Sequence, residues 1–232
     1  MSNLRDAIVR MALRRPYLYL LVTLVISIVL MEVLVEIAEH TFIKPALQQL
    51  ELQFIAYVQQ FVTPPLTAEV MLVTASGSST FYLLASALVC CWYLYSRQKD
   101  RMYLYLVCLC GGGILNQVLK RIFERVRPDI FPVIAESGYS FPSGHAMGAI
   151  CFYGILAYFA GLGLRSKPLR WGLLAAAGIY ILLIGLSRVY LGVHYPTDIL
   201  AGYAAGATWL FFCITLHRIF RKHYKRAQLP PL

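Results

Sequence analysis

Charge is scarce in this chain of 232 residues: only 14% are Asp, Glu, Lys or Arg, and just 11 are acids. A water-soluble protein of this size leaves much of its area exposed and needs polar groups to cover it. The 59% share of apolar and aromatic residues therefore excludes a soluble globular domain, and it excludes intrinsic disorder as well. Linkers, low-complexity tracts and internal repeats are also missing, so residues 1–232 read as one domain. The six cysteines (Cys90, Cys91, Cys108, Cys110, Cys151 and Cys213) all fall in apolar runs. None has metal-ligand spacing with a histidine, so they read as small core hydrophobes.

What is present is apolar sequence in blocks. Six stretches come near the length needed to cross a bilayer, at about 17–38, 66–96, 102–119, 143–164, 171–187 and 197–216. They predict an all-α fold, a bundle of six transmembrane helices. The second stretch is longer than a bilayer requires and is expected to tilt or project past it. The first is too long for a signal-peptide core and runs into Glu32, Glu36 and Glu39 rather than a cleavage site, so it is expected to be retained. Residues 40–65 are patchily amphipathic and end at Pro64-Pro65. They predict a helix lying in the outer headgroup region, as a cap on the bundle or a gate for lipid.

The basic residues test this count. Arg5, Arg10, Arg14 and Arg15 precede the first span, and Arg97, Lys99 and Arg101 separate the second from the third. Arg165, Lys167 and Arg170 separate the fourth from the fifth, and Arg218, Arg221, Lys222, Lys225 and Arg226 follow the sixth. These are 15 of the 21 basic residues, all on one side if six helices alternate. Positive charge collects in the cytoplasm, so both termini are expected there. The net charge of +10 thus reads as topology and headgroup contact, not as a nucleic-acid surface.

Six basic residues remain on the opposite side: Lys44, Lys120, Arg121, Arg125, Arg127 and Arg188. Three motifs contain five of them, all but Lys44. The first runs from Lys120 to Arg127-Pro128, the second is Pro142-Ser143-Gly144-His145, and the third runs from Ser187-Arg188 through His194 to Asp198. Converging cations with too few acids call for an anion, and the guanidinium fork suits phosphate oxygens. Pro142 suits the first position of a helix, which would leave the N–H groups of Ser143, Gly144 and His145 pointing outward as a phosphate seat. Gly144 would let the ligand approach the backbone closely. His194 is a candidate nucleophile, Asp198 its orienting carboxylate if Pro196 opens the sixth helix, and His145 a general acid and base.

These motifs resemble the K-x6-R-P, P-S-G-H and S-R-x5-H-x3-D signature of the type-2 phosphatidic acid phosphatase family. Every signature position is filled, in order, by Lys120, Arg127, Pro128, Pro142, Ser143, Gly144, His145, Ser187, Arg188, His194 and Asp198. The resemblance implies a phosphohistidine intermediate at His194, with Lys120, Arg127, Ser143, Gly144 and Arg188 cradling the phosphate and no metal or other cofactor. It implies a lipid phosphate or pyrophosphate substrate, with phosphatidylglycerophosphate and undecaprenyl pyrophosphate favoured by the compact layout.

The expectation is an integral protein of a bacterial plasma membrane, its site on the extracytoplasmic side and its substrate arriving sideways from the outer leaflet. Competing readings are a vanadate-dependent haloperoxidase, a transporter of anionic solutes and a non-catalytic lipid-phosphate-binding protein. Six spans oppose the first. The gathering of ionisable groups at one surface opposes the second, and the full set of nucleophile and acid opposes the third. Outside the signature, Arg121 and Arg125 read as headgroup contacts, and Asp129 and Glu136 as balancing loop charge. The Gly77-Ser78-Ser79-Thr80 run, the Gly111-Gly112-Gly113 run and the Gly202/Gly206 pair read as sites of close helix packing.

Overall fold

The computed structural model describes residues 16–43, 45–129 and 132–227. Arg5, Arg10, Arg14, Arg15 and Lys44 lie outside the described residues, as do the side chains of Arg221, Lys222, Lys225 and Arg226. Among the described residues every regular element is a helix. In chain order these are α1 Pro16–Ile43, α2 Pro45–Gln59, α3 Pro64–Ala75, α4 Ser79–Tyr95, α5 Lys99–Phe123, α6 Gly144–Gly163, α7 Lys167–Tyr190 and α8 Pro196–Ala227. Helix α6 contains one π turn, Ile150–Gly154.

Helices α1, α5, α6, α7 and α8 are each long and apolar enough to cross a membrane; α3 and α4 meet that test only together. Large apolar side chains such as Leu72, Leu88, Trp92 and Ile122 point outward, as lipid contact requires. The chain is an integral membrane protein.

Two local expectations are corrected. The stretch 66–96 is not one tilted helix but α3 and α4, bent by 50° across Ser76–Ser78. Both serines have local reasons to break the ladder. The Ser76 hydroxyl donates to the Val73 carbonyl (2.7 Å), and Ser78 caps a new helix by accepting from the Phe81 N–H (3.2 Å). Gly77 between them is where the chain must be thin. A Cβ there would lie 2.5 Å from the Ile184 side chain and 3.0 Å from the His145 ring. The run packs closely, as expected, but the close packing accompanies a break rather than a continuous helix. Pro64-Pro65, in turn, does not close the preceding amphipathic stretch. Helix α2 already ends at Gln59, and Pro64 opens α3, where its missing N–H has no intrahelical partner to lose.

The packing brings the loops of one end together. Helix α8 lies along α1 and against α6. Gly202 and Gly206 make the second contact possible: a Cβ at Gly202 would lie 2.7 Å from the Ser143 carbonyl, and one at Gly206 3.0 Å from the Met147 carbonyl. Leu34, Phe141, Met147, Ala201, Ala204 and Ala205 fill the seam. Away from that end, Tyr82, Tyr105, Phe152 and Phe159 join α4, α5 and α6. Tyr82 stacks on Phe152 at 5.0 Å.

Gly202→Val should therefore push α8 off α6 against backbone that cannot yield. The expected loss is about 1–3 kcal/mol, the usual scale of overpacking, seen as a lower Tm in detergent. Gly178→Ala, where a Cβ meets nothing within 4 Å, should leave Tm unchanged or raise it.

Candidate active site

The third motif is built around the start of α8. Pro196 is its first residue, so Asp198 sits in the first turn and its side chain folds back over the chain entering the helix. Asp198 Oδ2 accepts from the Tyr195 N–H (2.9 Å) and faces His194 Nδ1 (3.2 Å). Both side chains are essentially sealed from solvent, His194 at 1% exposure and Asp198 at 0%.

The other ring nitrogen, Nε2, lies 3.1 Å from Arg127 Nη1. A guanidinium can only donate, so Nε2 carries the lone pair and the ring proton is on Nδ1, facing the carboxylate. Burial draws the His194 imidazole down to about 4, against the opposing pull of Asp198, so it is neutral near pH 7.

Arg127 is anchored in the loop after α5. Its Nε donates to the Gly138 carbonyl (3.0 Å) and its Nη1 to the Val193 carbonyl (2.9 Å). Lys120, in the last turn of α5, donates to the Tyr139 carbonyl. Arg188, 2% exposed near the end of α7, is held by Thr74 of α3 (2.7 Å). Its Nε is buried and has no hydrogen-bond partner among the described residues.

The second motif opens α6, but two residues later than a helix with Pro142 at its first position. Ser143 is the N-cap and accepts from the Ala146 N–H (3.4 Å), so Pro142 precedes the cap instead of occupying the first helical position. The Ser143 N–H is not free for a ligand either, because it donates to the Asp198 carbonyl (2.9 Å). That leaves the N–H groups of Gly144 and His145, which have no earlier helical carbonyl to reach. Gly144 lies close to a protein neighbour: a Cβ there would be 3.1 Å from Asn116 Oδ1. Asn116 of α5, which sequence reading did not single out, also donates to the Pro142 carbonyl (3.2 Å) and latches the motif to α5.

A cavity of about 640 Å³ joins these parts. Lys120, Arg127, Gly144, His145 and His194 line its polar end. From there it runs between α4 and α5 past Leu83, Leu106 and Leu109. Ser143 and Asp198 stand behind this wall, and Arg188 joins the polar group through Glu136.

Glu136 corrects a second expectation. It does not merely balance loop charge, since its carboxylate pairs with both Arg188 and Arg127 (3.3 Å to the latter) inside the cradle. Arg125 corrects a third. It makes no headgroup contact but is buried between Asp198 and Glu51 at 2.6 Å from each, while Arg121 is exposed. Neither Glu136 nor Glu51 carries a motif signal. Among the described residues no group of three or more His, Cys, Asp or Glu side chains could hold a metal ion.

Residues 101–222 match the PAP2 superfamily. The chain belongs to that family. It is 40% identical over 156 residues to phosphatidylglycerophosphatase B of Bacillus subtilis, covering 66% of this chain and 76% of the relative. Two other relatives are matched over less than half their length. The lipid A 1-phosphatase of Rhizobium johnstonii is 36% identical, with 41% of this chain and 39% of the relative covered. The undecaprenyl-diphosphatase of Sulfolobus acidocaldarius is 35% identical, with 47% and 48% covered.

The crystal structure of the PAP2-type phosphatidylglycerolphosphate phosphatase of Bacillus subtilis superposes with a TM-score of 0.77 at 31% identity. It covers 85% of this chain and 96% of that one. Aquifex aeolicus LpxE shares the fold, with a TM-score of 0.57 at 21% identity over 70% of this chain and 93% of that one. With phosphatases throughout these PAP2 relatives, the chain is a membrane phosphatase of the superfamily.

Histidine-selective isotope labelling should show the His194 ring neutral at pH 6 and taking up its proton only near pH 4. A midpoint above the ordinary histidine value would mean that the Asp198 charge outweighs burial.

Proposed function

We propose that this PAP2 enzyme is a lipid phosphatase that passes the phosphoryl group through His194. The observation that carries the reading is the His194 ring itself. Asp198 takes its Nδ1 proton side, while Nε2 faces a cavity that it shares with His145, Lys120 and Arg127.

An arriving phosphate displaces the Glu136 carboxylate from Arg127 and Arg188, because a dianion satisfies both guanidinium groups better than one carboxylate does. The unpartnered Arg188 Nε gains an acceptor, and the Gly144 and His145 N–H groups and Lys120 bind the remaining oxygens. Arg127 then turns from Nε2 to the phosphate and frees the lone pair. His145 takes up a proton as the phosphate dianion binds beside it. Nε2 attacks phosphorus, and the P–O bond to the lipid breaks as the His145 imidazolium protonates the leaving oxygen. The imidazolium left on His194 keeps its Nδ1 proton against Asp198. Water then gives a proton to His145 and attacks phosphorus. The P–N bond breaks, its electron pair returns to Nε2, and inorganic phosphate leaves. The cradle supplies the charge stabilisation for both steps, so the proposed reaction uses no metal.

The apolar limb of the cavity, between α4 and α5, suits the first carbons of a lipid tail. Phosphatidylglycerophosphate and undecaprenyl diphosphate, named for two of the relatives, are the proposed substrates. In this reading the α3–α4 pair is a sixth, bent span and α2 lies at the headgroups. The termini face the cytoplasm, and the substrate slides in from the outer leaflet with its tail still in lipid. The basic residues around Arg97–Arg101 and Arg165–Arg170, at the end opposite His194, support that orientation.

Purified enzyme assayed on phosphatidylglycerophosphate, phosphatidic acid and undecaprenyl diphosphate should release phosphate in excess EDTA. His194→Ala should abolish release while the protein stays folded, and Lys120→Ala should lower the rate on the order of 10²–10³-fold. Turnover surviving in His194→Ala, or lost with EDTA, would overturn the mechanism.

Orientation has its own test in intact cells. An impermeant maleimide should label Val126→Cys, 78% exposed beside the site, and spare Lys99→Cys; the reverse pattern would invert the topology.

A further inference from the structure

Behind His194, and off the cavity, three buried charged side chains stand in a row. Arg125 Nη1 donates to Asp198 Oδ1 (2.6 Å) and to Thr197 Oγ1 (2.8 Å), and its Nη2 donates to Glu51 Oε2 (2.6 Å). The guanidinium also lies 3.8 Å from the centre of the Tyr195 ring. Glu51 Oε1 accepts from the Thr197 N–H (2.9 Å) and hydroxyl (2.6 Å). Exposure is 4% for Glu51, 8% for Arg125 and 0% for Asp198. Charges this deep are costly unless paired, and each of these meets an opposite charge at 2.6 Å. Among the described residues, Glu51 is the polar contact that helix α2 makes to the relay.

We infer that Glu51 and Arg125 are positioning residues for phosphoryl transfer: Arg125 fixes the Asp198 carboxylate beneath His194, and Glu51 offsets the charge of Arg125 so that Asp198 can still stabilise the imidazolium. The inference rests on the proposed role of His194. A lone guanidinium at 2.6 Å would draw the Asp198 charge towards Oδ1 and away from the ring on Oδ2. With Glu51 on its other arm, the row keeps a net charge of −1, which matches the single positive charge that His194 acquires when Nε2 bonds to phosphorus. The interfacial helix α2 is therefore not a passive cap, since its one buried acid reaches the catalytic relay from behind.

The signature is a pair of opposite pH shifts. The charged and titratable groups facing His194 are Asp198 from α8, Arg127 and Glu136 from the loop before α6, His145 from α6, Arg188 from α7 and Lys120 from α5, with Arg125 and Glu51 behind Asp198. The acid limb of kcat/KM reports protonation of free His194. Glu51→Gln removes a negative charge and disfavours the imidazolium, so the limb moves to lower pH. Arg125→Gln removes a positive charge and moves it to higher pH. Glu51→Gln/Arg125→Gln brings it back towards wild type.

Each variant is purified, its folded fraction checked by size-exclusion chromatography and Tm, and its rates measured on phosphatidylglycerophosphate, or on undecaprenyl diphosphate if that is hydrolysed faster. Glu51→Gln should lose about tenfold or more in kcat per folded molecule, with KM within about twofold, the pattern of a lost transition-state interaction. Arg125→Lys, which keeps the charge but not the two-armed clamp, should leave the limb in place and still lose kcat; it also stands in if Arg125→Gln does not fold. A Glu51→Gln enzyme with unmoved limb and unchanged kcat, limbs that move the same way in both single variants, or full kcat in Arg125→Lys would each overturn the inference. If His194→Ala remains active, the proposed mechanism fails instead, and the two failures are distinguishable.

Discussion

The arrangement depends on one buried carboxylate with two oxygens and two different obligations. Asp198 Oδ2 faces His194 and the Tyr195 N–H, and Oδ1 is taken by Arg125. An ionised group at zero exposure survives only when both oxygens are paired, so the contacts around it organise much of this end of the molecule. The Asp198 carbonyl holds the Ser143 N–H, which fixes the start of α6 to the start of α8. The Gly202 and Gly206 contacts let the helix axes come close enough for that bond to form. The proposed nucleophile, acid and anion seat thus share one rigid corner, and helix packing inside the bundle decides their spacing.

Around that corner positive charge exceeds negative. Among the described residues, the loop carboxylate of Glu136 pairs with Arg127 and Arg188, while Lys120 donates to the Tyr139 carbonyl. Such a cradle is stable without substrate because it carries its own anion, and it is selective because only a better anion displaces that carboxylate. The bare Nε2 of His194 is likewise covered, by Arg127. In the proposed reaction one binding event shifts Glu136, redirects Arg127 and exposes the nucleophile, so none of these groups is committed before a phosphate is present.

Much of this was legible in the residues. The motif spacings implied that Asp198 would fold back on His194, and hydropathy marked the membrane helices. Three kinds of feature were not legible. The bend across Ser76–Ser78 is invisible to hydropathy, because the serines and glycine that make it are apolar enough to pass within a long run. Pro64-Pro65 signals a boundary without saying whether a helix stops there or starts. Glu51, Glu136 and Arg125 acquire their meaning from partners far along the chain, Glu51 from residues 74 and 146 positions away. An acid in an amphipathic stretch has no local mark that distinguishes a solvated residue from one buried against a guanidinium. The excess of outward cations was the clue available. Arg125, lying within the first motif but outside its signature, was the residue to ask about.

The burial of His194 bears on why hydrolysis of a membrane lipid is placed at the rim of a bundle. An imidazole in contact with water is partly protonated near neutrality and loses its lone pair, whereas burial holds this ring near 4 and keeps it neutral. Burial alone would also oppose the positive charge that the ring gains on bonding to phosphorus. In the proposed reaction Asp198 compensates at short range and Arg125 and Glu51 set how much charge it can offer, so the ring is neutral before attack and stabilised after it. The charged groups Asp198, Arg125 and Glu51 lie behind the ring, and the cavity proposed to take the substrate lies in front. The lipid-facing limb of the cavity can therefore stay apolar while the chemistry proceeds at its polar end. A lipid phosphate has the same division, with its charge in the headgroup and its apolar bulk in the tail, and the pocket reproduces that gradient across its length.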